Sequence, residues 1–206
     1  MHPCTSHWRR CGLAAVAIAV AGTLTACAHG NGTASPATRP PATTSPTEHP
    51  TTHVMRPADR STAQLATAAF QDVDAAEAAG YVSSLDTLGC FQDPARGGMG
   101  VHYIDESLLD ATVDLARPEA LVYELDDHGA ITGLVAHEYI IPVDAWTATS
   151  PPNLVGVDFH RHPTLPLWVL HTWIWKENAD GVFADWNPAV RLCPAGVPIF
   201  AVDLPT

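Results

Sequence analysis

The first 27 residues constrain this chain most, because they decide in which compartment the rest of it folds. Arg9 and Arg10 precede an apolar stretch, residues 12–26, and the run Leu-Thr-Ala-Cys ends at Cys27. A positive start, an apolar middle and small residues before a cut are the parts of an export signal. The stretch is shorter than the roughly 20 apolar residues of a membrane-spanning helix. We therefore predict that residues 1–27 are a lipoprotein signal peptide, with cleavage before Cys27 and acylation of its sulfur.

Acylation of Cys27 would attach the protein to a membrane without a spanning helix. Such a cysteine carries two or three acyl chains, palmitate among them, and each buried methylene contributes about 0.8 kcal/mol to attachment. The sequence therefore predicts a lipid-anchored protein on the extracytoplasmic face of the cell membrane, with the membrane as its partner. Plain secretion, with Cys27 as a free thiol, is the alternative.

Two cysteines remain in the mature chain and predict a disulfide. Of the five cysteines, Cys4 and Cys11 leave with the signal and Cys27 carries lipid, so Cys90 and Cys193 are left. In an oxidising compartment two such thiols most simply form one disulfide. A redox pair or two thiolate metal ligands are the alternatives, although no Cys-x-x-Cys spacing supports them.

The acidic balance of the chain argues against nucleic acid as a partner. The net charge is −12, and loss of Arg9 and Arg10 with the signal makes it −14. A protein that binds phosphate backbones needs a basic face, and from Ser61 onward the chain has only five arginines and lysines. Schiff-base chemistry has a single candidate, because Lys176 is the one lysine in the sequence.

The mature chain divides into a tether and one domain. Residues 28–60 are rich in Thr, Pro, Ala, Ser and Gly and show no apolar periodicity. Such a composition cannot bury enough surface to offset its ordering entropy, so it predicts a disordered spacer. Residues 61–206 have the length of a single domain with a sizeable core.

Helical spacing marks the start of that domain. Ser61 and Gln64 match a capping box, and apolar residues then recur at helical spacing up to Gly80. A helical turn is expected at residues 107–113. The glycines of residues 97–100 lack the lysine of a phosphate loop, and we interpret them as a tight turn.

Four later segments have the composition of β-strands. They are rich in β-branched and apolar residues, and they comprise residues 119–125, 131–141, 154–162 and 167–176. The first two are joined by residues 126–129, a hairpin turn. The last is apolar on both faces, as a central strand would be. The expected fold class is α+β, with an N-terminal helix packed on a small antiparallel sheet and one disulfide.

The histidines offer the clearest candidate chemistry. His160 and His162 are two residues apart in a predicted strand, so they share a face and could offer two nitrogen ligands to zinc, copper or iron. His171, His102 or Glu138 could complete the site. The alternatives are a polar strand edge for the pair and a hydrogen-bonded core position for His171 among its tryptophans.

Other catalytic signatures do not occur in the sequence. It has no Gly-x-Ser-x-Gly elbow, no Walker loop, no dinucleotide fingerprint and no His-Glu-x-x-His. The clustered aromatic residues fit a hydrophobic core, with a carbohydrate or lipid platform as the alternative.

Several sequence runs occur here together: residues 98–103 (GMGVHY), 117–123 (RPEALVY), 137–139 (HEY), 170–175 (LHTWIW) and 183–188 (FADWNP). Together they resemble an uncharacterised family of exported bacterial proteins that has no established activity. The resemblance covers most of residues 63–194. It implies that His102, Glu138 and His171 mark any site, with His160 near them, and such a set of two nitrogens and one oxygen suits iron, copper or zinc.

These observations predict a membrane-anchored extracytoplasmic lipoprotein that binds a transition metal through His102, Glu138, His160 and His171. A metal-dependent enzyme that uses the same side chains is the first alternative. A structural or interaction module of the cell envelope, without a metal, is the second.

Overall fold

A computed structural model describes residues 53–200 of the chain. The predicted signal peptide with Cys27, and residues 28–52 of the predicted tether, lie outside the described residues. Within residues 53–200, no helix has the length and apolar character needed to cross a membrane.

The N-terminal helical layer begins earlier than the sequence predicts. Helix α1 spans Pro57–Thr67, a 3-10 turn follows at Ala68–Gln71, and helix α2 spans Val73–Ala78. Proline at the first position starts α1, because its fixed φ suits a helix and its missing N–H has no partner to lose there. The expected capping box at Ser61 is therefore wrong, since Ser61 lies inside the helix.

The predicted single helix is also interrupted at Asp72. This residue caps α2, because its side chain accepts a hydrogen bond from the backbone N–H of Asp74 at 3.1 Å. Its own extended backbone cannot continue the preceding helical turn. The result is two short helices in place of one.

The strands within residues 53–200 are short except for four. In chain order they are β1 (Val82–Ser83), β2 (Phe91–Asp93), β3 (Gly97–Ile104), β4 (Ala120–Leu125), β5 (Ile131–Pro142), β6 (Asn153–Leu154), β7 (Val157–Asp158), β8 (His160–Arg161) and β9 (Leu167–Thr172). A 3-10 turn at Glu106–Leu108 stands where the sequence predicts a helical turn.

The main sheet is antiparallel, and its strands run in the order β1-β3-β4-β5-β9-β8, with β2 also paired to β3. β6 and β7 form a separate two-stranded ribbon. The predicted hairpin of β4 and β5 is confirmed, and helices on one antiparallel sheet confirm the α+β class.

The predicted strand over residues 154–162 is wrong. Val155 and Gly156 both have positive φ, at 48° and 89°, and they form the turn between β6 and β7. Two successive residues with positive φ favour a tight hairpin over a continuous strand. Only His160 and Arg161 of this segment join the main sheet.

β9 is confirmed as a strand but ends four residues earlier than predicted. At Trp173 the backbone leaves the sheet, because its N–H donates to the carbonyl of Val182 at 2.8 Å instead of to a neighbouring strand. Trp175 therefore lies outside β9, although its N–H still donates to the carbonyl of Val135 on β5 at 3.3 Å.

The glycine-rich run at residues 97–100 is a strand, not the predicted tight turn. Gly98 lies so close to the C-terminal segment that a side chain there would collide with the backbone of Arg191. Its N–H donates to Val190 at 3.2 Å, and its carbonyl accepts from Asn187 at 3.1 Å. Glycine is needed for this close approach of two backbones.

The side chains of β4 pack alternately on the two faces of the sheet, because successive side chains of a strand point to opposite faces. Leu121 and Tyr123 lie in the same buried cluster as Ala76 of α2, on the helical side. Ala120 and Val122 face the other way. Val122 packs in one cluster with Phe91 of β2 and with Trp186 and Val190 of the C-terminal segment.

The predicted disulfide is confirmed, and both cysteines pack in the cluster that contains Ala76 and Leu121. Cys90 and Cys193 are bonded, with Cα atoms 6.0 Å apart and a sequence separation of 103. Closure of so long a loop stabilises the fold by on the order of 4–5 kcal/mol in the chain-entropy account.

We expect Glu119 to make the fold less stable as pH rises. Burial raises the pKa of this carboxyl to about 8, although the N–H of Ile140 donates to it at 2.9 Å. In the unfolded chain the Glu119 carboxyl has the usual pKa of a glutamate, near 4.5. Between about pH 4.5 and 8 the folded protein therefore keeps a proton on this carboxyl, and unfolding releases it. The free energy of unfolding should fall across this window, by on the order of 3 kcal/mol.

Urea unfolding at pH 5 and pH 8 measures this effect in the wild type and in Glu119→Gln. The variant keeps an acceptor for Ile140 but has no proton to lose, so its stability should change less over the same window. An equal loss of stability in both proteins would contradict the account.

Candidate metal centre

Three strands bring His102, Glu138 and His171 to one face of the sheet. Glu138 on β5 lies directly opposite His171 on β9. His102 on β3 is separated from Glu138 by β4, where Val122 is paired with His102 and Ala120 with Glu138. Paired residues point to the same face, so all these side chains leave the sheet together.

Small side chains on β4 allow the contact across it. His102 and Glu138 sit on strands two apart, a backbone separation of about 9.5 Å. Ala120 and Val122 between them are short enough for the longer side chains to meet above β4. A bulky residue at either position would fill this space.

The donor atoms of the three residues are within reach of one ion. His102 Nε2 lies 3.2 Å from Glu138 Oε2, and His171 Nε2 lies 3.5 Å from Glu138 Oε1. All three ligand atoms lie within 4.8 Å of one another. Ligands of a tetrahedral zinc ion, each about 2.1 Å from the metal, are about 3.4 Å apart. The donor atoms would therefore have to move closer by up to about 1.4 Å to bind one ion together.

Burial and mutual charge set the protonation of the cluster. Burial lowers the pKa of His102 to about 3, helped by the nearby His171 and His162. Burial raises the pKa of Glu138. For His171, burial alone would lower the pKa, but the carboxylates of Glu138 and Asp185 raise it above its usual value.

Several nitrogens of the cluster lack a hydrogen-bond partner among the described residues. They are Nδ1 and Nε2 of His171 and Nδ1 of His102, all buried. Unpaired buried polar atoms are uncommon because each costs about 1–3 kcal/mol. A bound cation on the Nε2 side of His171 would satisfy that atom.

Asp185 approaches His171 from the other side of its ring. Asp185 Oδ1 lies 3.5 Å from His171 Nδ1 and 3.3 Å from His160 Nε2. Burial would raise the pKa of Asp185, but His171, His160 and Arg96 lower it, so this carboxyl is charged at neutral pH. A carboxylate beside Nδ1 favours the tautomer with its proton there, leaving Nε2 free to bind a metal.

The loop around Asp185 is held in place by its backbone. The carbonyl of Ala184 accepts a hydrogen bond from the Trp173 indole at 2.5 Å. The carbonyl of Trp186 accepts from the Asn178 side chain at 2.8 Å. The position of Asp185 is therefore fixed by both neighbours.

The structure brings together three of the four predicted ligands but not His160. That side chain is 45% exposed and contacts Asp185, outside the three-residue cluster. His160 and His162 do not form the predicted pair of ligands at the cluster. His162 Nδ1 instead accepts hydrogen bonds from the backbone N–H groups of Thr164 at 3.2 Å and Leu165 at 3.0 Å. His162 thereby stabilises the turn before β9.

A cavity of about 90 Å³ opens beside the cluster. Glu138 and His171 line it, and Phe91, Met99 and Trp186 supply apolar walls. Asp185, which sequence reasoning overlooked, also lines it. The only sequence signal for Asp185 is its place in the run at residues 183–188, because a carboxylate in a loop has no periodicity that indicates its role.

His137 serves the core on the opposite face of the sheet. Its Nε2 is 2.8 Å from Thr67 Oγ1 of α1, and burial lowers the pKa of this imidazole to about 3. His128 is an exposed residue in the turn between β4 and β5. Alternation along β5 thus separates His137 from its neighbour Glu138.

Comparison with known proteins adds no assignment: no family model, curated protein or solved structure matches this chain. The resemblance to an exported bacterial family therefore stays a prediction. The function of the protein is therefore inferred from the geometry of the cluster of His102, Glu138 and His171.

We expect Thr67→Val to destabilise the fold without touching the cluster. The change removes the partner of the buried His137 Nε2 and of the Trp175 indole N–H, and each unsatisfied group costs about 1–3 kcal/mol in the free energy of unfolding. Urea unfolding measures the loss. A stability equal to that of the wild type would contradict the core assignment of His137.

Proposed function

We propose that this protein is a membrane-anchored extracytoplasmic lipoprotein that binds one transition-metal ion through His102, Glu138 and His171. The single observation that carries the metal proposal is the convergence of these three buried donor atoms within 4.8 Å of one another. The side chains come from three separate strands, so no local turn or helix explains why they meet.

The chemistry of the donors supports a transition metal over calcium or magnesium. Two imidazole nitrogens and one carboxylate oxygen suit zinc, iron or copper, whereas the hard cations take oxygen ligands. His102 is neutral at physiological pH, as a ligand must be, because burial lowers its pKa to about 3. Proton release from Glu138 and His171 would accompany binding.

A metal-dependent enzyme is the second candidate, and the cavity favours it. Three protein ligands with a fourth position left open are typical of catalytic zinc sites, whereas structural sites use four. Glu138 and His171 adjoin the cavity, so an exogenous molecule has a route to the ion.

We expect mature protein purified after export to bind one equivalent of zinc or cobalt. His171→Ala and Glu138→Gln should weaken binding by more than about 100-fold, since loss of even an outer-shell partner costs roughly 10–100-fold. Equilibrium dialysis with elemental analysis gives the stoichiometry and affinity.

His128→Ala is the matched control, because it removes an exposed turn histidine remote in sequence from the cluster. It should bind like the wild type. Equal binding by all variants would assign the metal to other residues. Absence of binding by the wild type would overturn the proposal and favour a structural or interaction module of the envelope.

Asp185→Asn should reduce metal affinity by about tenfold or more while leaving the apo protein folded. The substitution removes the charge next to His171 Nδ1 but keeps the shape of the side chain. Because Asp185 is 39% exposed, the thermal midpoint of the apo protein should hardly change. Loss of apo stability with unchanged metal affinity would show that Asp185 has a purely structural role.

Export and anchoring are tested at Cys27, which lies outside the described residues. Cys27→Ala should abolish incorporation of labelled palmitate and should prevent lipoprotein processing. Cell fractionation after labelling compares the variant with the wild type. An unlabelled wild-type protein found free in the medium would favour plain secretion.

A further inference from the structure

We propose that the cavity beside the cluster binds a small carboxylate, which takes the open coordination position of the metal. This inference rests on the proposed function, since the metal supplies one of the two contacts to the ligand. The other contact is Arg96 at the side of the cavity.

A metal ion held by the cluster would bring positive charge to the cavity, because Glu138 and His171 line it. A divalent ion held by two neutral imidazoles and the Glu138 carboxylate keeps a net charge of about +1. Apolar walls from Phe91, Met99 and Trp186 lower the local dielectric, so this charge attracts an anion more strongly than it would in water.

Arg96 also lines the cavity, and its Nη groups make no hydrogen bond among the described residues. Its Nε donates to Asp93 at 2.6 Å, and its guanidinium carbon lies 5.3 Å from the centre of the Trp186 ring. The hydrogen bonds of the described residues engage Arg96 only through Nε and its backbone. The planar Nη groups match the geometry of a carboxylate.

Two carboxylates line the cavity, Glu138 and Asp185, whereas Asp93 lies beside it. Asp93 is paired with Arg96 and also accepts the backbone N–H of Ala95 at 2.8 Å. Asp185 lies between His171 and His160. Among the groups that line the cavity, a divalent ion and Arg96 would therefore outweigh the carboxylates of Glu138 and Asp185 by about one positive charge.

The size of the cavity limits the ligand to a small molecule. A volume of about 90 Å³ equals roughly three water molecules of the liquid, at about 30 Å³ each. Acetate and similarly short organic acids fit this space, with their methyl or methylene groups against the apolar walls.

Cobalt-loaded mature protein tests the proposal, because the visible absorption of Co²⁺ reports changes in its ligands. Acetate should change the spectrum in a saturable way, whereas acetamide, a neutral molecule of the same shape, should not. Arg96→Gln should weaken acetate binding by about tenfold or more, as expected for loss of a charge-assisted hydrogen bond.

Arg161→Gln is the matched control, because Arg161 also stacks on an indole, with its guanidinium carbon 4.8 Å from the Trp168 ring centre, and does not line the cavity. It should bind acetate like the wild type. If cobalt binds and acetate leaves the spectrum unchanged, or if Arg96→Gln binds acetate normally, the carboxylate pocket is overturned while the metal site stands. Failure of cobalt to bind overturns both.

Discussion

The candidate site depends on one interaction, the contact of a buried carboxylate with two imidazoles. Glu138 contacts His102 on one side and His171 on the other, and all three expose less than a tenth of their side chains. Ionised groups are costly to bury unless other groups or a metal compensate them. Here the sheet register fixes the pairing of Glu138 with His171, and the small residues of β4 admit His102. The cluster is therefore a product of strand order and alternation together.

β2 and the C-terminal segment cover part of the cluster and also line the cavity beside it. The C-terminal segment packs on the same face of the sheet, and the disulfide between Cys90 and Cys193 ties that segment back to the start of β2. Gly98 permits the backbone of β3 to lie close to that of Arg191. The loop that contains Asp185 places this carboxylate beside His171. Features that look purely structural in the sequence thus serve to shape the site and the cavity.

Sequence reasoning identified the parts of the site better than their arrangement. The five motif runs of the sequence indicate His102, Glu138 and His171 as site residues. The count of cysteines left after export predicts the disulfide. His160 was favoured because the spacing of two residues puts side chains on one face, but spacing says nothing about distance to other strands. Asp185 was missed, since its role depends on tertiary contacts of a loop.

The errors in the fold have the same origin. Local composition marked residues 97–100 as a turn, whereas the glycines there serve a close approach between distant segments. The break at Val155 and Gly156 depends on a turn conformation that apolar composition conceals. The hairpin of β4 and β5 was predictable because its apolar runs and its turn are adjacent in the chain.

A crystal structure of zinc-loaded mature protein, with anomalous data collected at the zinc edge, tests the central claim most directly. The account predicts one anomalous peak about 2.0–2.2 Å from a nitrogen of His102, a nitrogen of His171 and an oxygen of Glu138. A peak at other residues, or no peak at these three in crystals shown to contain stoichiometric zinc, would contradict it.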